Sequence, residues 1–344
     1  MQKIFALFHG METAVEAHAL LAWIVLILAF LILAKAADVF VESAAALAYR
    51  LEVPKLVIGI VLVSLATTAP ELSVSVLAAV KGNPQMALGN AIGSVIVDDG
   101  LALALAGIVA TAPILILPAV LRSSGLFLLA VEILCFLFVA RDGMLSRGEG
   151  GALIGAVGLY ILFLYRQHRQ GRFQQDLKSE FPEAVETQSV ARAMGVFALS
   201  LFAILLASEL TIVSALSIAH SLRIPDTVIA LTLVAFGTSI PEIATCVSAA
   251  RKGHGAIAVG NILGADIMNI CWVAGASALA NDLALGRKEI YFMFPAMFLV
   301  VGAMLGMLRH RHRLTRLKGV VLLVLFLAYL AVSLWLFPPG APLA

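Results

Sequence analysis

Residues 64–71 read SLATTAPE and residues 235–242 read AFGTSIPE, in a chain that is otherwise strongly apolar. Each stretch carries hydroxyl side chains followed by a proline and a glutamate. Proline has no N–H to donate, and its ring crowds the carbonyl group four residues earlier. Both stretches therefore predict a helix that breaks and places an acid beside the break.

The composition indicates the environment of these breaks. The chain has 344 residues, of which 62% are hydrophobic and 13% charged, and its mean hydropathy is +1.03. Soluble domains are about 25% charged. The apolar residues form blocks of about 20, the length at which a helix spans a bilayer. We therefore predict an all-α polytopic membrane protein with ten transmembrane helices, at residues 19–49, 54–80, 85–110, 117–140, 150–166, 193–221, 224–250, 255–280, 289–308 and 318–337.

The two quoted stretches belong to a longer internal repeat with an offset of 171 residues. Residues 54–100 and 225–271 are identical at 18 of 47 aligned positions without a gap. Five predicted spans separate the two copies, and an odd number turns the second copy over in the membrane. The sequence therefore predicts two inverted five-helix repeats, which are typical of secondary transporters with a site at the membrane midplane.

This repeat divides the chain into two halves. Residues 1–166 form the first half, with its repeat at 54–110, and residues 192–344 form the second, with its repeat at 225–281. Residues 167–191 are predicted to be a cytoplasmic linker. This topology places 15 Lys and Arg residues inside and 7 outside, as the positive-inside rule requires. We therefore expect a multi-pass protein of the cell inner (plasma) membrane, with both termini outside.

The net charge of +2 is small. It gives no indication of nucleic-acid binding, and no obligate protein partner is evident. The partners that the sequence predicts are the lipid bilayer and inorganic cations.

Each predicted break supplies oxygen atoms at close spacing. Thr67 and Thr68 precede Glu71 by four and three residues, a spacing that lets all three share a helix face. Ser64 adds a hydroxyl one turn earlier. The second copy supplies Ala235, Thr238, Ser239 and Glu242. Hard cations such as Ca²⁺ prefer oxygen ligands, and no His or Cys stands here at the spacing that zinc or copper would need.

The third and eighth predicted spans carry a second pair of motifs. Residues 89–94 (GNAIGS) precede Asp98, and residues 260–265 (GNILGA) precede Asn269. Glycines four residues apart let helices approach closely, and Ser94 lies one turn from Asp98. Four helices that meet at the centre would bring together Glu71, Asp98, Glu242 and Asn269.

Other interpretations of the acids remain open at this point. Asp38 and Glu209 match in the repeat and fit a structural ion pair as well as a transport role. Asp99 and Asp266 have no acidic counterpart in the other half. Two glutamates that both follow proline in a repeat are better explained as functional, because ionisable groups at membrane depth are costly.

Functions of other classes find less support. The hydrolase motifs H-E-x-x-H, G-x-S-x-G and G-x-G-D do not occur in the chain, so an enzyme is not predicted. A channel is a further alternative, which saturable counter-flow would exclude.

These motifs resemble the two α-repeats of the cation/calcium exchanger (CaCA) superfamily and look most like its prokaryotic sodium/calcium exchangers. The family pattern G-T-S-x-P-E is complete at residues 237–242 and appears as ATTAPE at residues 66–71. The resemblance covers most of the chain. It implies a secondary antiporter that exchanges Ca²⁺ for Na⁺ by alternating access, in which spans one and six slide across the core.

The resemblance also implies roles for individual residues. Glu71 and Glu242 match the carboxylates that bind Ca²⁺. Ca²⁺ and Na⁺ are then transported ions, and no resident cofactor is expected. The predicted metal ligands are Glu71, Glu242, Asp98, Asn269, Thr67, Thr68, Thr238, Ser239, Ser64, Ala235 and Ser94, with Ser64 and Ala235 at positions that offer carbonyl oxygens.

Beyond the change in residues 66–71, the chain departs from the family pattern at four further positions. The family typically has Asn in the first half where Asp98 stands, and Asp is common where Asn269 stands, so the acid has changed sides. Val95 replaces a polar residue, and Ala265 removes a hydroxyl that resembles a Na⁺ ligand. The alternative function is therefore an antiporter of Ca²⁺, or another divalent cation, against H⁺.

Overall fold

The structure, a computed structural model, describes residues 19–51, 53, 55–169, 189–221 and 236–337. These residues form long helices and four strands of two residues each. Eight of the helices are long and apolar enough to cross a membrane. The predicted fold class, an all-α polytopic membrane protein, is confirmed.

The helices of the first half follow the predicted spans closely. Its elements are α1 (Ala19–Arg50), α2 (Lys55–Ile58), a π-helical turn (Gly59–Val63), α3 (Ser64–Thr67), α4 (Ala69–Val80), α5 (Pro84–Val97), a second π-helical turn (Asp98–Ala102), α6 (Leu103–Val109), β1 (Ile114–Leu115), α7 (Pro118–Asp142), β2 (Met144–Leu145) and α8 (Arg147–Arg169).

The second half repeats this order. Its elements are α9 (Val190–Ser221), α10 (Ile240–Arg251), α11 (Gly255–Met268), a π-helical turn (Asn269–Val273), α12 (Ala274–Ala280), β3 (Leu283–Ala284), α13 (Arg287–Arg309), β4 (Arg313–Leu314) and α14 (Arg316–Leu336). Helices α10, α11 and α12 and the π-helical turn begin and end 171 residues after their first-half counterparts. The sequence repeat is therefore also a structural repeat.

Two short ladders show how the halves are related. β1 pairs with β4, and β2 pairs with β3, both antiparallel, so each ladder joins a loop of one half to a loop of the other. The repeat relates β1 to β3 and β2 to β4, and it therefore maps one ladder onto the other. Strands that pair must lie on the same side of the membrane, which requires an even number of crossings between them, as the inverted topology predicts.

Helices α1 and α9 pack against each other along their length. The Phe40 and Phe197 rings stack with centroids 4.4 Å apart, and Ala22 packs with Ile218. The later residue of α1 thus meets the earlier residue of α9. The first helices of the two halves therefore run antiparallel, which is the arrangement of an inverted repeat.

The count of ten spans is consistent with the structure. The segments Gly59–Thr67 and Ala69–Val80 form a ninth candidate span that is bent by 50°. Residues 236–250 are the described part of the predicted span 224–250 and contain most of helix α10, and residues 222–235 lie outside the described residues. The tenth span stays a prediction, as do the domain boundaries, because most of the linker at 167–191 also lies outside them.

Both helix breaks occur where the sequence predicts them. Thr68 stands between α3 and α4 with φ −79° and ψ 7°, and Ser239 precedes α10 with φ −83° and ψ 6°. Pro70 and Pro241 then lie at the start of the following helix, where the missing N–H costs no hydrogen bond. Each break therefore places the glutamate after the proline in the first turn of a new helix.

The helices of the third and eighth predicted spans form the centre of the molecule. Within the segments Pro84–Val109 and Gly255–Ala280, 78% and 89% of the residues in an apolar stretch of 18 are buried. The corresponding values are 28% for Leu20–Arg50 and 33% for Val190–Ala215. The pair α1 and α9 therefore lies at the periphery, against the core.

Helix α11 approaches the broken helix of the first half closely at Gly264. A Cβ atom added there would lie 2.5 Å from the Ser64 Oγ and 2.7 Å from the Ile60 Cα, and it would also overlap the Ile60 carbonyl oxygen. A Cβ on Gly59 would lie 2.8 Å from the Ile257 carbonyl oxygen. Only glycine permits this distance between the two backbones.

We predict that Gly264→Ala lowers the midpoint of thermal unfolding in detergent, because the added methyl group overlaps the Ile60 backbone. Overpacking of this kind costs about 1–3 kcal/mol. Gly155→Ala is the matched control, since no atom lies within 4 Å of its added Cβ and alanine is the better helix former. Equal midpoints for the wild type and both variants would contradict the close approach at Gly264.

Candidate cation site

Two glutamates from opposite halves lie at the centre of the molecule. Glu71 stands in the first turn of α4 and Glu242 in the first turn of α10, and both side chains are fully buried. A helix N-terminus carries a partial positive charge that favours a carboxylate. The two helix breaks thus provide partial compensation for the glutamates that they position.

Each glutamate faces hydroxyl groups of the other half. Ser239 Oγ donates to Glu71 Oε1 at 3.4 Å, and the Thr238 hydroxyl also faces this carboxyl group. The Thr67 hydroxyl faces the carboxyl group of Glu242. The carboxyl groups of Glu71 and Glu242 are close enough for their charges to interact. The two breaks, 171 residues apart in sequence, therefore meet in space.

Asp98 and Asn269 complete the central group. Each begins a π-helical turn, an irregularity that occurs frequently at functional sites. Asn269 Nδ2 donates to Asp98 Oδ2 at 3.3 Å, and the Asp98 carboxyl lies near those of Glu71 and Glu242. The structure therefore brings together the four polar residues that the sequence predicts at the centre.

Several oxygen atoms of this group have no hydrogen-bond partner among the described residues. They are Glu71 Oε2, Ser94 Oγ, Asp98 Oδ1, both carboxyl oxygens of Glu242 and Asn269 Oδ1. Buried oxygens without a donor are costly unless a cation or a proton satisfies them. Ca²⁺ takes about six to eight oxygen ligands, and the chemistry of these donors fits a hard cation.

The carboxyl groups alone do not form a metal cage. Within the part of the chain that the structure describes, no group of three or more His, Cys, Asp or Glu side chains is arranged to hold a metal ion. A cation at this site would therefore also take hydroxyl and carbonyl oxygens. These are the ligand types that the sequence predicts at the breaks.

Two of the predicted ligands, Thr68 and Ser64, have a different environment. Thr68 donates to the Ser64 carbonyl oxygen twice, from its hydroxyl at 2.8 Å and from its N–H at 2.9 Å. The Ser64 hydroxyl donates to the Ile60 carbonyl oxygen. A cation bound to the Ser64 carbonyl would share that oxygen with Thr68. Ala235 lies outside the described residues, and the ligand roles of all three stay predictions.

The sequence reasoning missed two asparagines that contact the site. Thr67 Oγ1 donates to Asn261 Oδ1, and Thr238 Oγ1 donates to Asn90 Oδ1, both at 3.3 Å. Each contact joins a predicted ligand of one half to the central helix of the other half. Both asparagines belong to the repeated G-N-x-x-G motif, in which only the glycines were assigned a role from the sequence.

A second group of buried acids lies beside the first. Asp99 interacts with Asp266 across the two halves, and Glu132 of α7 lies near both. None of their carboxyl oxygens has a hydrogen-bond partner in the described ranges. These acids do not align in the repeat, so the spacing along the chain does not predict that they lie together.

Asp38 lies at the interface between α1 and α10. Ser248 Oγ donates to Asp38 Oδ1 at 2.6 Å. Lys252 Nζ lies 3.9 Å from Asp38 Oδ2 and 2.5 Å from Glu42 Oε1. The structure therefore shows Asp38 in an ion pair with a residue of a neighbouring helix, which is the structural interpretation of Asp38.

Inverted halves, broken helices and buried acids where the breaks meet are typical of secondary transporters. The profile of the sodium/calcium exchanger protein family matches residues 21–167 and 192–335. The chain belongs to this family, and the resemblance to cation/calcium exchangers that the motifs indicated is confirmed. Family and fold are those of a transporter.

Relatives match over nearly the whole chain. The sodium/calcium exchanger MaX1 of Methanosarcina acetivorans is 30% identical, over 91% of this chain and 99% of its own. The inner membrane protein YrbG of Escherichia coli is 32% identical, over 93% of this chain and 98% of its own. A solved structure of the sodium-calcium exchanger NCX_Mj, soaked with 10 mM Na⁺ and zero Ca²⁺, matches with a TM-score of 0.76 at 26% identity, covering 91% of this chain and 99% of that chain.

We predict that Asp98→Asn weakens Ca²⁺ binding, because it removes one of the three carboxyl groups of the central group. A tenfold rise in Kd corresponds to about 1.4 kcal/mol, and we expect a rise of roughly that size or more. The double variant D98N/N269D returns a carboxyl group to the facing position and should recover most of the affinity. Calorimetric titration of the purified protein measures both. An affinity in the double variant as low as in D98N would contradict the prediction.

Proposed function

We propose that this protein exchanges Ca²⁺ for Na⁺ across the cell inner membrane by alternating access. The observation that carries the proposal is that Glu71 and Glu242, which come from different halves, lie close together. Each of them also faces a threonine hydroxyl group of the opposite half. The relatives that are named sodium/calcium exchangers support the choice of ions. The relative named an inner membrane protein supports the location. In this proposal both termini lie outside, which rests on the distribution of Lys and Arg alone.

In this proposal the ions share one set of ligands. Ca²⁺ binds between Glu71 and Glu242, with oxygens of Thr67 and Thr238. Na⁺ ions distribute over the same central group, and the charge of Asp98 adds to the attraction of either ion. The remaining predicted ligands, Asn269, Thr68, Ser239, Ser64, Ala235 and Ser94, supply further hydroxyl, amide and carbonyl oxygens.

Charge compensation then couples the two fluxes. A bare carboxylate is costly in a site without water, and several close together raise that cost. The empty and fully charged site should therefore be the form least able to cross between the two sides. A site loaded with Ca²⁺ or with Na⁺ is neutralised and can cross, so one ion moves only in exchange for the other.

The peripheral pair of helices provides the moving part. Helices α1 and α9 pack against each other and are the less buried of the long helices compared above. We propose that they slide together across the core and expose the site to each side in turn. This movement leaves the buried acids within the core helices, where both glutamates keep their positions.

We predict that Glu71→Gln and Glu242→Gln each abolish ⁴⁵Ca uptake into proteoliposomes driven by a Na⁺ gradient, because each removes a charge that binds Ca²⁺. Glu289→Gln is the matched control, since Glu289 lies in the first turn of α13 and outside the central group. It should keep uptake near the wild-type level. Retained uptake in both site variants would reject the assignment.

Exchange against H⁺ is the second candidate function. Two features of the site favour it: Ala265 offers no hydroxyl at the position where the first half has Ser94, and the acid at Asp98 stands in the half where the family typically has an amide. Both changes alter groups that resemble Na⁺ ligands and leave Glu71 and Glu242 in place.

Imposed ion gradients separate the two candidates. In proteoliposomes with a Na⁺, K⁺ or H⁺ gradient imposed singly, we expect only the Na⁺ gradient to drive ⁴⁵Ca uptake. Protein-free liposomes give the background leak under each gradient. Uptake driven by a pH gradient in the absence of Na⁺ would select the H⁺ antiporter instead.

A further inference from the structure

We propose that Asn90 and Asn261 are positioning residues, which hold the hydroxyl hydrogens of two ligand threonines away from the site glutamates. Neither asparagine belongs to the predicted ligand set. The inference rests on the proposed function, since it concerns how the same site presents its oxygens to a cation.

Asn261 connects the two helix breaks through a directed series of hydrogen bonds. Thr67 Oγ1 donates to Asn261 Oδ1 at 3.3 Å, and Asn261 Nδ2 donates to Thr245 Oγ1 at 3.2 Å. Thr245 Oγ1 in turn donates to the Pro241 carbonyl oxygen at 2.8 Å. Because the Thr245 hydrogen is used on Pro241, its oxygen can only accept from Asn261. This fixes the orientation of the amide, so that its oxygen is the atom that meets Thr67.

Asn90 makes the corresponding contacts in the first half. Thr238 Oγ1 donates to Asn90 Oδ1 at 3.3 Å, and Asn90 Nδ2 donates to Ser75 Oγ at 3.0 Å. Ser75 aligns with Cys246 in the repeat and not with Thr245. The same connection is therefore made twice from hydroxyl groups at different aligned positions, which indicates that the link itself matters more than the residue that provides it.

The direction of the threonine hydrogen decides what the site offers a cation. A hydroxyl group has one hydrogen and two lone pairs. The Thr67 hydroxyl faces Glu242, but the acceptors that it meets are Asn261 Oδ1 at 3.3 Å and, more distantly, the Ser64 carbonyl oxygen at 3.5 Å. Both Glu242 oxygens lack a partner among the described residues. Without Asn261, the Glu242 carboxylate is the stronger of the remaining acceptors, because hydrogen bonds to a charged group are stronger than those to a carbonyl, so the Thr67 hydrogen would turn to it and lie between the two ligands. With Asn261, the Thr67 oxygen and the Glu242 oxygens keep lone pairs for the cation.

Double-mutant cycles test this role, read by ⁴⁵Ca binding to the purified full-length protein. We expect Asn261→Ala to raise the Kd for Ca²⁺ by roughly 3–10-fold, the change in affinity that corresponds to the free energy of one hydrogen bond. In a Thr67→Val background the harmful hydroxyl is absent, so Asn261→Ala should change the Kd by less than about twofold. Asn90→Ala and Thr238→Val form the matched cycle of the other half.

Crossed pairs provide the control. Asn261→Ala combined with Thr238→Val should show additive effects, because these two side chains do not share a hydrogen bond. If asparagine only braced the helices, Asn261→Ala would cost the same with and without the Thr67 hydroxyl. Should Asn261→Ala fail to fold, Thr245→Val replaces it, since it removes the group that orients the amide and should also raise the Kd only when Thr67 is present.

Infrared spectra give a readout that needs no Ca²⁺ binding, in case Thr67→Val abolishes it. Asn261→Ala should shift a carboxyl band, because Thr67 then donates to Glu242, and the shift should be absent in N261A/T67V. A wild-type protein that binds no Ca²⁺ would reject the proposed function and this inference together. Wild-type binding with additive effects within both cycles, or the same band shift with and without Thr67, would reject the positioning role alone.

Discussion

The cost of holding carboxyl groups away from water is the constraint on which the rest of the structure depends. A buried carboxylate needs compensation from hydrogen bonds, dipoles or a cation. Glu71 and Glu242 obtain part of it from the helix N-termini that the prolines create, and Glu71 obtains a hydroxyl contact from the opposite half. The broken helices, the glycine contacts and the inverted arrangement all serve to bring these groups together. In the proposed function, a cation supplies what the protein leaves unsatisfied.

Much of this could be predicted from the sequence, because the repeat preserved residues that are rare inside membrane helices. Pro70 and Glu71 recur at a fixed offset, which reveals the breaks, the inversion and the two main acids without a structure. The central position of Asp98 and Asn269 followed from the same offset. These features depend only on positions that the two copies share.

The contacts that the sequence did not predict arise where the copies differ or where helices from different halves cross. Asn90 meets Ser75, whereas Asn261 meets a hydroxyl one aligned position away, so no comparison of the copies shows the common pattern. Asp99 and Asp266 approach each other although they do not align. Which faces of two helices meet depends on their crossing geometry, and that information is not carried by spacing along either helix.

The two ladders have a consequence for how the protein is made. Each ladder takes one strand from each half, so neither ladder can form within one half alone. During synthesis the first half enters the membrane with β1 and β2 still lacking their partners, which are translated later. Each ladder can therefore close only after the second half has entered the membrane, which makes this pairing a late step of assembly.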